Sequence, residues 1–386
     1  VGRGRWPEED DSRRLWLAAS EKDRAENLMI VDLLRNDLGR IAEYGSVEVE
    51  GLFGIERFET LWQMTSTVRA VPRDGTGLMA VLRALFPSGS ITGAPKARTM
   101  EIIRELEATP RGLYCGAIGL LAPPGSGQPR AQFNVAIRTV VVDAVAGTAV
   151  YGTGGGITWD SVPENEYDEA LVKTAVLTHR QAEFSLLETM RWTPDEGVVR
   201  RQRHLDRLRA SADYFGFAYP KAAIESGLTN LESTGDLRVR LLLDRTGQAI
   251  VEHEPLRQPG TPVRLVIDGF QVDSDNVLLF HKTTHRDVYD QAASRHPEAD
   301  DVVLVNEKGM ATETTRANLA ARFGDSWVTP PLEDGCLPGT YRAELIEDGA
   351  LREQSILAVS LKEAHELAVV SSLRGWRPAV LNTPVG

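Results

Sequence analysis

Two runs of alternating helix and strand signals follow one another along the 386 residues, and the pattern restarts near residue 180. A chain of this length commonly folds as two or three domains. We find no internal repeat and no low-complexity segment that would favour a solenoid or a disordered linker. The sequence therefore predicts an α+β protein of two domains, residues 1–180 and residues 181–386.

The net charge of the chain restricts the kinds of molecule that it is expected to bind. There are 43 basic and 55 acidic side chains, a net charge of −12, which argues against a nucleic acid or an anionic membrane. Cys115 and Cys336 are too few and too far apart for a disulfide framework or a zinc site. No apolar run reaches the ~18 residues of a membrane span. We expect a cytoplasmic protein with two reduced thiols.

Apolar spacing and turn residues predict the elements. In the first half we expect helix within 12–45, strands within 45–72, a short helix ending before Pro87, two strands joined by a loop at 122–129, and a strand, glycine turn and helix within 148–184. In the second half we expect a strand at 183–192, a helix ending at Gly216, a hairpin at 236–256, a strand at 262–272, a helix within 283–296 and a hairpin turning at Glu307–Gly309.

An acidic helix in the first half offers a metal site. Glu166 and Glu169 are three residues apart and Lys173 is four further on, so all three lie on one helical face. Carboxylates at this spacing suit Mg²⁺, which prefers oxygen ligands. The same residues also suit a solvated helix start with an ion pair between Glu169 and Lys173. Spacing alone does not separate the two interpretations.

Two further features point to a bound anion. The run Gly154–Gly156 lets backbone N–H groups approach an anion, although a bulge or tight turn explains it equally well. Arg138 stands within the strand-like segment "NVAIRTVVV", where we expect it among inward-facing aliphatic residues and in need of an anionic partner. The loop "SGSITGAPKARTMEII" begins a helix, but its spacing differs from that of a nucleotide-binding P-loop.

These motifs occur together, and residues 10–178 resemble the chorismate-utilising enzymes such as the first components of anthranilate synthase and aminodeoxychorismate synthase. The resemblance rests on "DRAENLMIVDLLRNDLGR", "SGSITGAPKARTMEIIRELE", "RGLYCGAIGL", "NVAIRT" and "GGGITWDSVPENEYDEALVK", in the family's order. It implies a partial α/β sandwich that binds chorismate with Mg²⁺. The implied magnesium ligands are Glu26 and Glu169, with Glu166 near the metal. The implied substrate-binding residues are Thr92, Gly93, Tyr114, Arg138, Gly154, Gly155, Gly156 and Lys173.

The chain departs from the family pattern at two places. Gln63 stands where many members have a histidine that assists the chemistry. The family's domain also extends upstream of Val1, into a segment that carries a nucleophilic lysine in the aminodeoxychorismate branch. We therefore expect the first half to be an N-terminally truncated synthase domain that is inactive alone.

A lysine in the second half is a candidate for covalent chemistry. Lys282 follows "LLF", which we expect to be an apolar strand, and precedes a helix, where partial desolvation would lower the pKa of its amine. If Lys282 is considered without its neighbours, the alternative is an ordinary loop lysine that is exposed to water. Its neighbours in the sequence include the basic helix "RRQRHLDRLRASADYF", Glu313 in "MATETTRANL" and the turn "LPGTYRAEL", which opens a helix that could bind a phosphate.

That set resembles the class IV, or fold type IV, pyridoxal phosphate enzymes over residues 183–386. The resemblance implies a two-subdomain domain in which Lys282 bears the cofactor and Glu313 partners the pyridine nitrogen. It implies a phosphate site built from Arg207, Thr340, Tyr341 and Ser372. Asp287 stands where aminotransferase members of the family have a tyrosine, which argues mildly against a branched-chain aminotransferase.

A chorismate-family domain followed by a class IV domain resembles the bifunctional enzymes that make 4-aminobenzoate for folate. This implies 4-amino-4-deoxychorismate as the intermediate, a glutamine amidotransferase subunit as the ammonia source, and a homodimer through the pyridoxal phosphate domain. The alternatives are a branched-chain or D-amino-acid aminotransferase and a non-catalytic fragment or partner.

Overall fold

The computed structural model describes residues 1–127, 129–157, 161–177, 183–257, 260 and 262–382. The chain divides into two compact units, one of Val1 with Arg14–Gln181 and one of Gly2–Arg13 with Ala182–Gly386. The boundary predicted at residue 180 lies outside the described residues. No helix in the described part of the chain is both long and apolar enough to cross a membrane.

The first unit is built from helices and three antiparallel hairpins, β1–β2, β3–β4 and β5–β6. The elements up to residue 177 are, in chain order, α1 (Pro7–Ala19), α2 (Glu21–Gly39), β1 (Glu48–Arg57), β2 (Trp62–Arg69), α3 (Leu78–Leu85), α4 (Gly89–Thr92), α5 (Lys96–Leu106), β3 (Ala117–Leu121), β4 (Ala131–Val135), β5 (Val140–Asp143), β6 (Thr148–Tyr151), α6 (Pro163–Thr174) and a 3-10 turn at Ala175–Leu177.

Local sequence explains where these helices begin and end. The side chain of Ser20 accepts a hydrogen bond from the backbone N–H of Asp23 and so caps α2. The helix α3 ends at Leu85, before Pro87, as predicted. Lys96, the first residue of α5, forms a salt bridge of 2.6 Å with the buried Asp37 of α2. Lys96 therefore joins two helices.

The second unit contains a four-stranded sheet, in the order β10-β9-β7-β8, and a nine-stranded sheet, in the order β16-β15-β14-β18-β19-β11-β12-β13-β17. Its strands are β7 (Leu186–Thr193), β8 (Gly197–Val198), β9 (Leu237–Leu243), β10 (Ala249–Pro255), β11 (Val263–Val272), β12 (Asp301–Asn306), β13 (Met310–Thr314), β14 (Asn318–Phe323), β15 (Ser326–Thr329), β16 (Arg352–Glu353), β17 (Ile356–Leu357), β18 (Glu366–Ser371) and β19 (Gly375–Leu381). Its further helices are α7 (Arg201–Phe215), α8 (Lys221–Thr229), α9 (Asp287–Arg295) and α10 (Thr340–Glu347).

Each sheet of the second unit has its own apolar core. Alternate residues of β7 and β9, among them Met190 and Leu241, pack with Leu208 of α7 and Ile224 of α8. Strands β11, β12 and β14 bury a separate set of aliphatic residues in the larger sheet. The helix α7 ends at Phe215 because Gly216 adopts a left-handed conformation with φ 71°, which confirms the predicted end.

The N-terminal segment Gly2–Arg13 groups with the second unit, although the sequence placed it in the first domain. Trp6 packs on Phe280 with ring centroids 5.0 Å apart. Arg3 is buried and donates a hydrogen bond of 2.6 Å from Nη1 to the backbone oxygen of Tyr214. These contacts join residues more than 200 positions apart, and the local sequence pattern carries no signal for them.

Candidate functional site

A backbone bridge fixes the position of Lys282 in the second unit. The strand predicted before it is wrong, because Val277–Leu279 form a 3-10 turn. The N–H of Leu187 donates to the carbonyl oxygen of Lys282 at 2.8 Å, and Leu186 forms an isolated β-bridge with Thr283. Glu188 is the next residue of β7 after Leu187. The pairing therefore holds the backbone of Lys282 beside the strand that carries Glu188.

Burial and nearby charges shift the pKa of the Lys282 amine. Burial, followed by the positive charge of Arg207, lowers the pKa of Lys282 to about 8, against an opposing effect of Glu188. The charges of Arg286 and Glu313 also act on this amine. A lysine with this pKa offers a sizeable neutral fraction near pH 8, and the neutral amine is the form that attacks carbonyl groups.

Glu313 lies on β13 and is buried, 4% exposed. The hydroxyl of Tyr289 donates to its Oε1 at 2.8 Å, and Nδ2 of Asn318 donates to its Oε2 at 3.2 Å. Burial raises the pKa of Glu313 to about 7 in spite of these hydrogen bonds. A carboxyl group whose pKa lies close to neutral pH becomes fully ionised when a cationic group binds beside it.

A buried charge cluster surrounds Arg207. Its Nε and Nη2 donate to the two carboxylate oxygens of Glu188 at 2.9 and 2.6 Å, and its Nη1 donates to the oxygen of Pro338 at 3.0 Å. Glu188 also contacts Nδ1 of His204 at 2.6 Å. Burial opposes ionisation of Glu188, but Arg207 and His204 together lower its pKa to about 2. The cluster therefore holds a carboxylate at neutral pH.

The start of α10 contributes hydrogen-bond donors to the same place. Oγ of Ser372 and Oγ1 of Thr340 lie 2.7 and 3.3 Å from Nε2 of His204. In the described structure no group accepts a hydrogen bond from the backbone N–H of Thr340 or Tyr341, the first two residues of the helix. The structure thus brings together Arg207, Thr340 and Ser372, which the sequence predicted as parts of one phosphate site.

This donor set fits the cofactor that the resemblance implies. A phosphate group accepts hydrogen bonds from N–H groups at a helix start, from hydroxyl groups and from a guanidinium group. A carboxylate such as Glu313 suits a protonated pyridine nitrogen, and a lysine such as Lys282 suits an aldehyde. The individual roles of these residues remain predictions.

In the first unit, one face of α6 packs against the glycine run. Nζ of Lys173 lies 2.7 Å from Oε1 of Glu169 and donates to the backbone oxygen of Gly154 at 2.9 Å. A Cβ atom on Gly155 would lie 2.8 Å from Oε2 of Glu166, so only a glycine fits without a shift. A Cβ atom on Gly154 would lie 3.3 Å from the hydroxyl of Tyr114. Several of the predicted substrate-binding groups therefore converge.

Arg138 is placed differently from the prediction. The strand-like segment is broken into β4 and β5, and Arg138 lies between them, exposed and with φ 50°. The expectation that it lies in a strand among inward-facing aliphatic residues is wrong, because a left-handed residue at this point ends the extended conformation. A role for Arg138 in binding a carboxylate remains a prediction.

The predicted magnesium ligands are not gathered in the structure. Among the described residues, no group of three histidine, cysteine, aspartate or glutamate side chains is close enough to hold a metal ion. Glu26 is half-exposed, with its Oε1 3.8 Å from Lys22, and Glu166 accepts a hydrogen bond from Ser161. The arrangement does not fit a bound ion, and we assign no chemical step to one. The ligand set remains a prediction.

Thr92 and Gly93 lie at the end of the short helix α4. Gly93 has φ 86° and donates from its N–H to the oxygen of Gly89 at 2.8 Å. A Cβ atom there would lie 3.3 Å from Thr99 of α5. The turn thus depends on glycine, and a contact of Thr92 and Gly93 with a substrate ring remains a prediction.

The structure adds three residues that we did not select from the sequence. Glu188 and His204 join the predicted phosphate-site residues, and Tyr289 contacts Glu313. Glu188 had a sequence signal, because it stands in phase with Leu186 and Met190 on the buried face of β7. A charged residue in that phase requires a partner. Tyr289 had no such sequence signal, because helical spacing alone does not reveal a hydrogen-bond partner.

The comparisons with known proteins divide the chain in the same order. Residues 1–179 match the family described as chorismate binding enzyme, and residues 185–381 match amino-transferase class IV. The aminodeoxychorismate synthase of Streptomyces griseus is 49% identical over 175 residues, which are 45% of this chain and 23% of that protein. Aminodeoxychorismate synthase component 1 of Bacillus subtilis is 45% identical over 187 residues, 48% of this chain and 38% of that protein. The chain thus spans well under half the length of these curated relatives.

A solved structure is similar to the other part of the chain. The crystal structure of a "Putative amino-acid aminotransferase" from Mesorhizobium loti superposes with a TM-score of 0.50 at 39% identity. The match covers 52% of this chain and all of that one. Since the class IV match alone takes in just over half of the chain and agrees with the geometry around Lys282, this protein belongs to the amino-transferase class IV family, and the segment ahead of that domain matches the chorismate binding enzyme family.

Proposed function

We propose that the second unit is a pyridoxal phosphate-dependent lyase that converts 4-amino-4-deoxychorismate into 4-aminobenzoate and pyruvate. The observation that carries the proposal is the placement of Lys282, whose backbone pairs with β7 at Leu187 and whose amine has a pKa lowered to about 8 by burial and by the charge of Arg207. The substrate class follows from the chorismate binding segment in the same chain. An amine derived from chorismate is the molecule that both parts of such a chain would share.

The residues of the second unit divide into binding and proton-transfer roles. The phosphate would be held by Arg207, by the hydroxyls of Thr340 and Ser372, and by the N–H groups of Thr340 and Tyr341. Glu313 would face the ring nitrogen. When bound, pyridoxal phosphate supplies an aldehyde that captures the substrate amine and a ring that accepts electrons.

Lys282 moves the protons in this proposal. Its neutral amine removes the proton at C4 of the substrate and returns a proton to the departing enolpyruvate. Breaking the bond between C3 and oxygen makes the carbocycle aromatic, which supplies much of the driving force. The remaining residues therefore act mainly by orienting the reacting bonds.

The first unit is, in the same proposal, the chorismate-binding part of a synthase. The convergence of Lys173, Tyr114 and the run Gly154–Gly156 supports a site for the carboxylates of chorismate, because these groups offer hydrogen-bond donors. A glutamine amidotransferase subunit as the ammonia source and a homodimer through the second unit complete the proposal.

The test uses the full 386-residue chain with added pyridoxal phosphate and with 4-amino-4-deoxychorismate made by a separate synthase. Equal amounts of 4-aminobenzoate and pyruvate are expected without any added 2-oxo acid. Lys282→Ala should abolish both products, whereas Lys308→Ala, at an exposed turn, should leave them unchanged. Loss of product in both variants or in neither would count against the assignment.

An aminotransferase is the second candidate, and the similarity to the Mesorhizobium loti protein favours it. An aminotransferase would need a 2-oxo acid and would form a new amino acid from it. In the assay above, product formation that depends on added pyruvate or 2-oxoglutarate, with alanine or glutamate appearing, would favour transamination over elimination.

A further inference from the structure

A hydrogen-bond chain runs through the second unit from Glu188 to Ser372. Nδ1 of His204 lies 2.6 Å from Oε2 of Glu188, and its Nε2 lies 2.7 Å from Oγ of Ser372. The side chains of Glu188 and His204 are each 1% exposed. Both ring nitrogens therefore contact protein groups and not bulk water.

The electrostatics fix the direction of each hydrogen bond. Glu188 is ionised, so Nδ1 of His204 donates to it. Burial lowers the pKa of His204, against the effect of Glu188, so the ring is neutral near pH 7 and Nε2 carries no proton. Nε2 must then accept, and the hydroxyl of Ser372, at 2.7 Å, is a nearer donor to it than that of Thr340, at 3.3 Å.

This direction conflicts with phosphate binding. A dianionic phosphate ester only accepts hydrogen bonds. While Ser372 directs its proton to His204, its oxygen offers only lone pairs to an anion beside Thr340 and Tyr341. Turning that proton to the phosphate would set the serine oxygen against the lone pair of Nε2 at 2.7 Å. The hydroxyl of Thr340, at 3.3 Å from the same nitrogen, does not relieve that repulsion, whereas a proton on Nε2 does.

We propose that binding of a phosphate ester at this site takes up one proton on His204. The proposal rests on the function proposed above and goes beyond it in giving His204 a role. The proton comes from solvent and adds to Nε2, which then donates to Ser372, while the hydroxyl of Ser372 donates to a phosphate oxygen. His204 is a positioning residue, since it touches neither substrate nor cofactor.

The groups around His204 determine how strongly binding and protonation are coupled. Glu188 on β7 favours the protonated ring, and so would a bound dianion. Arg207 on α7 and Lys282 oppose it. Thr340 of α10 and Ser372 after β18 contribute hydroxyl groups that do not titrate in this range. Binding of the phosphate ester raises the pKa of His204. The affinity for the ester therefore falls as the pH rises through the pKa that His204 has in the complex, by up to about tenfold per pH unit.

The experiment uses pyridoxine 5'-phosphate, which has no aldehyde and so cannot condense with Lys282. Calorimetry of the full chain at pH 7 to 8, in two buffers of different ionisation enthalpy, counts the protons taken up. Wild type is expected to take up about one proton more than His204→Gln. The glutamine amide nitrogen replaces Nε2 as a donor without first gaining a proton. Ser372→Ala is expected to remove most of the same proton uptake.

Equal proton uptake in wild type and His204→Gln, with both proteins binding the ester, overturns the inference. If His204→Gln does not fold, Ser372→Ala decides, and an uptake as large as that of wild type overturns the inference. Failure of wild type to bind either pyridoxine 5'-phosphate or pyridoxal phosphate counts instead against the proposed function, and the inference falls with it.

Discussion

The hydroxyl of Tyr289 on α9 donates a hydrogen bond of 2.8 Å to Oε1 of Glu313 on β13, and both residues are buried. The bond favours the ionised carboxyl group, whereas burial favours the neutral one. Tyr289 therefore keeps the pKa of Glu313 low enough for a protonated pyridine ring to ionise the carboxyl group. The two residues are 24 positions apart, and only the packing of the helix on the sheet brings them together.

Tyr289→Phe should weaken pyridoxal phosphate binding by about tenfold, because a lost hydrogen bond to a charged group is worth roughly 1.5 kcal/mol or more. The pKa of Glu313 should rise further in the variant. Titration of the cofactor absorbance band measures the first effect, and infrared spectroscopy of the carboxyl group measures the second. Tyr167→Phe, at an exposed position, serves as the control. Unchanged cofactor affinity in Tyr289→Phe would show that the contact does not tune Glu313.

Glu313 should also make the stability of the cofactor-free protein depend on pH. Its folded pKa of about 7 lies above the ordinary glutamate pKa of 4.5, so the folded state binds more protons than the unfolded state between these values. Stability should therefore fall as pH rises from about 4.5 to 7, by about 3 kcal/mol from this group. Glu313→Gln should remove that part of the slope, measured by denaturant unfolding at several pH values. Identical slopes in the two proteins would contradict the raised pKa.

The lowered pKa of Lys282 predicts the pH dependence of cofactor capture. The rate at which added pyridoxal phosphate forms its lysine-linked absorbance band should rise with pH and reach half of its plateau near pH 8. Lys282→Ala should form no such band, whereas Lys308→Ala should behave as wild type. A midpoint near the ordinary lysine value of about 10.4 would mean that the amine is not desolvated.

The salt bridge between Lys96 and Asp37 should stabilise the first unit. Lys96→Met leaves a buried carboxylate without its partner and should cost about 3 kcal/mol. Hydrogen exchange of the backbone of α2 and α5 should accelerate by about a hundredfold. Glu101→Gln removes an exposed ion pair with Arg98 on the same helix and should cost about 0.5 kcal/mol or less. Equal effects of the two substitutions would show that burial of the first pair does not matter.

The glycine run of the first unit provides a matched pair of substitutions. A Cβ atom on Gly152 would lie 2.4 Å from the ring of Tyr114, whereas a Cβ atom on Gly156 would meet nothing within 4 Å. Gly152→Ala should therefore destabilise the first unit by about 1 to 3 kcal/mol. Gly156→Ala should have little effect. Thermal unfolding of both variants checks this, and a stable Gly152→Ala protein would mean that the ring of Tyr114 can move aside.

Much of the local structure was predictable. The helix that ends at Gly216, the hairpin at Glu307–Gly309 and the helix that opens at Thr340 all follow from glycine positions and apolar periodicity. Lys282 and Glu313 were identifiable because a lysine and a carboxylate at these places matched a family pattern. Arg138 was misplaced because alternating β-branched residues predict a continuous strand, whereas the backbone turns at that residue.

The sequence by itself determined the two-part organisation, the class of each part and the residues with chemical potential, because periodicity, turn residues and motif order are local properties. Only the tertiary structure decided that Glu188, His204 and Ser372 form one hydrogen-bond chain, that Tyr289 contacts Glu313, and that the surroundings of Lys282 lower the pKa of its amine. These features depend on burial and on contacts between residues as far as 168 positions apart. Such contacts arise from the packing of helices on sheets, which no short stretch of sequence encodes.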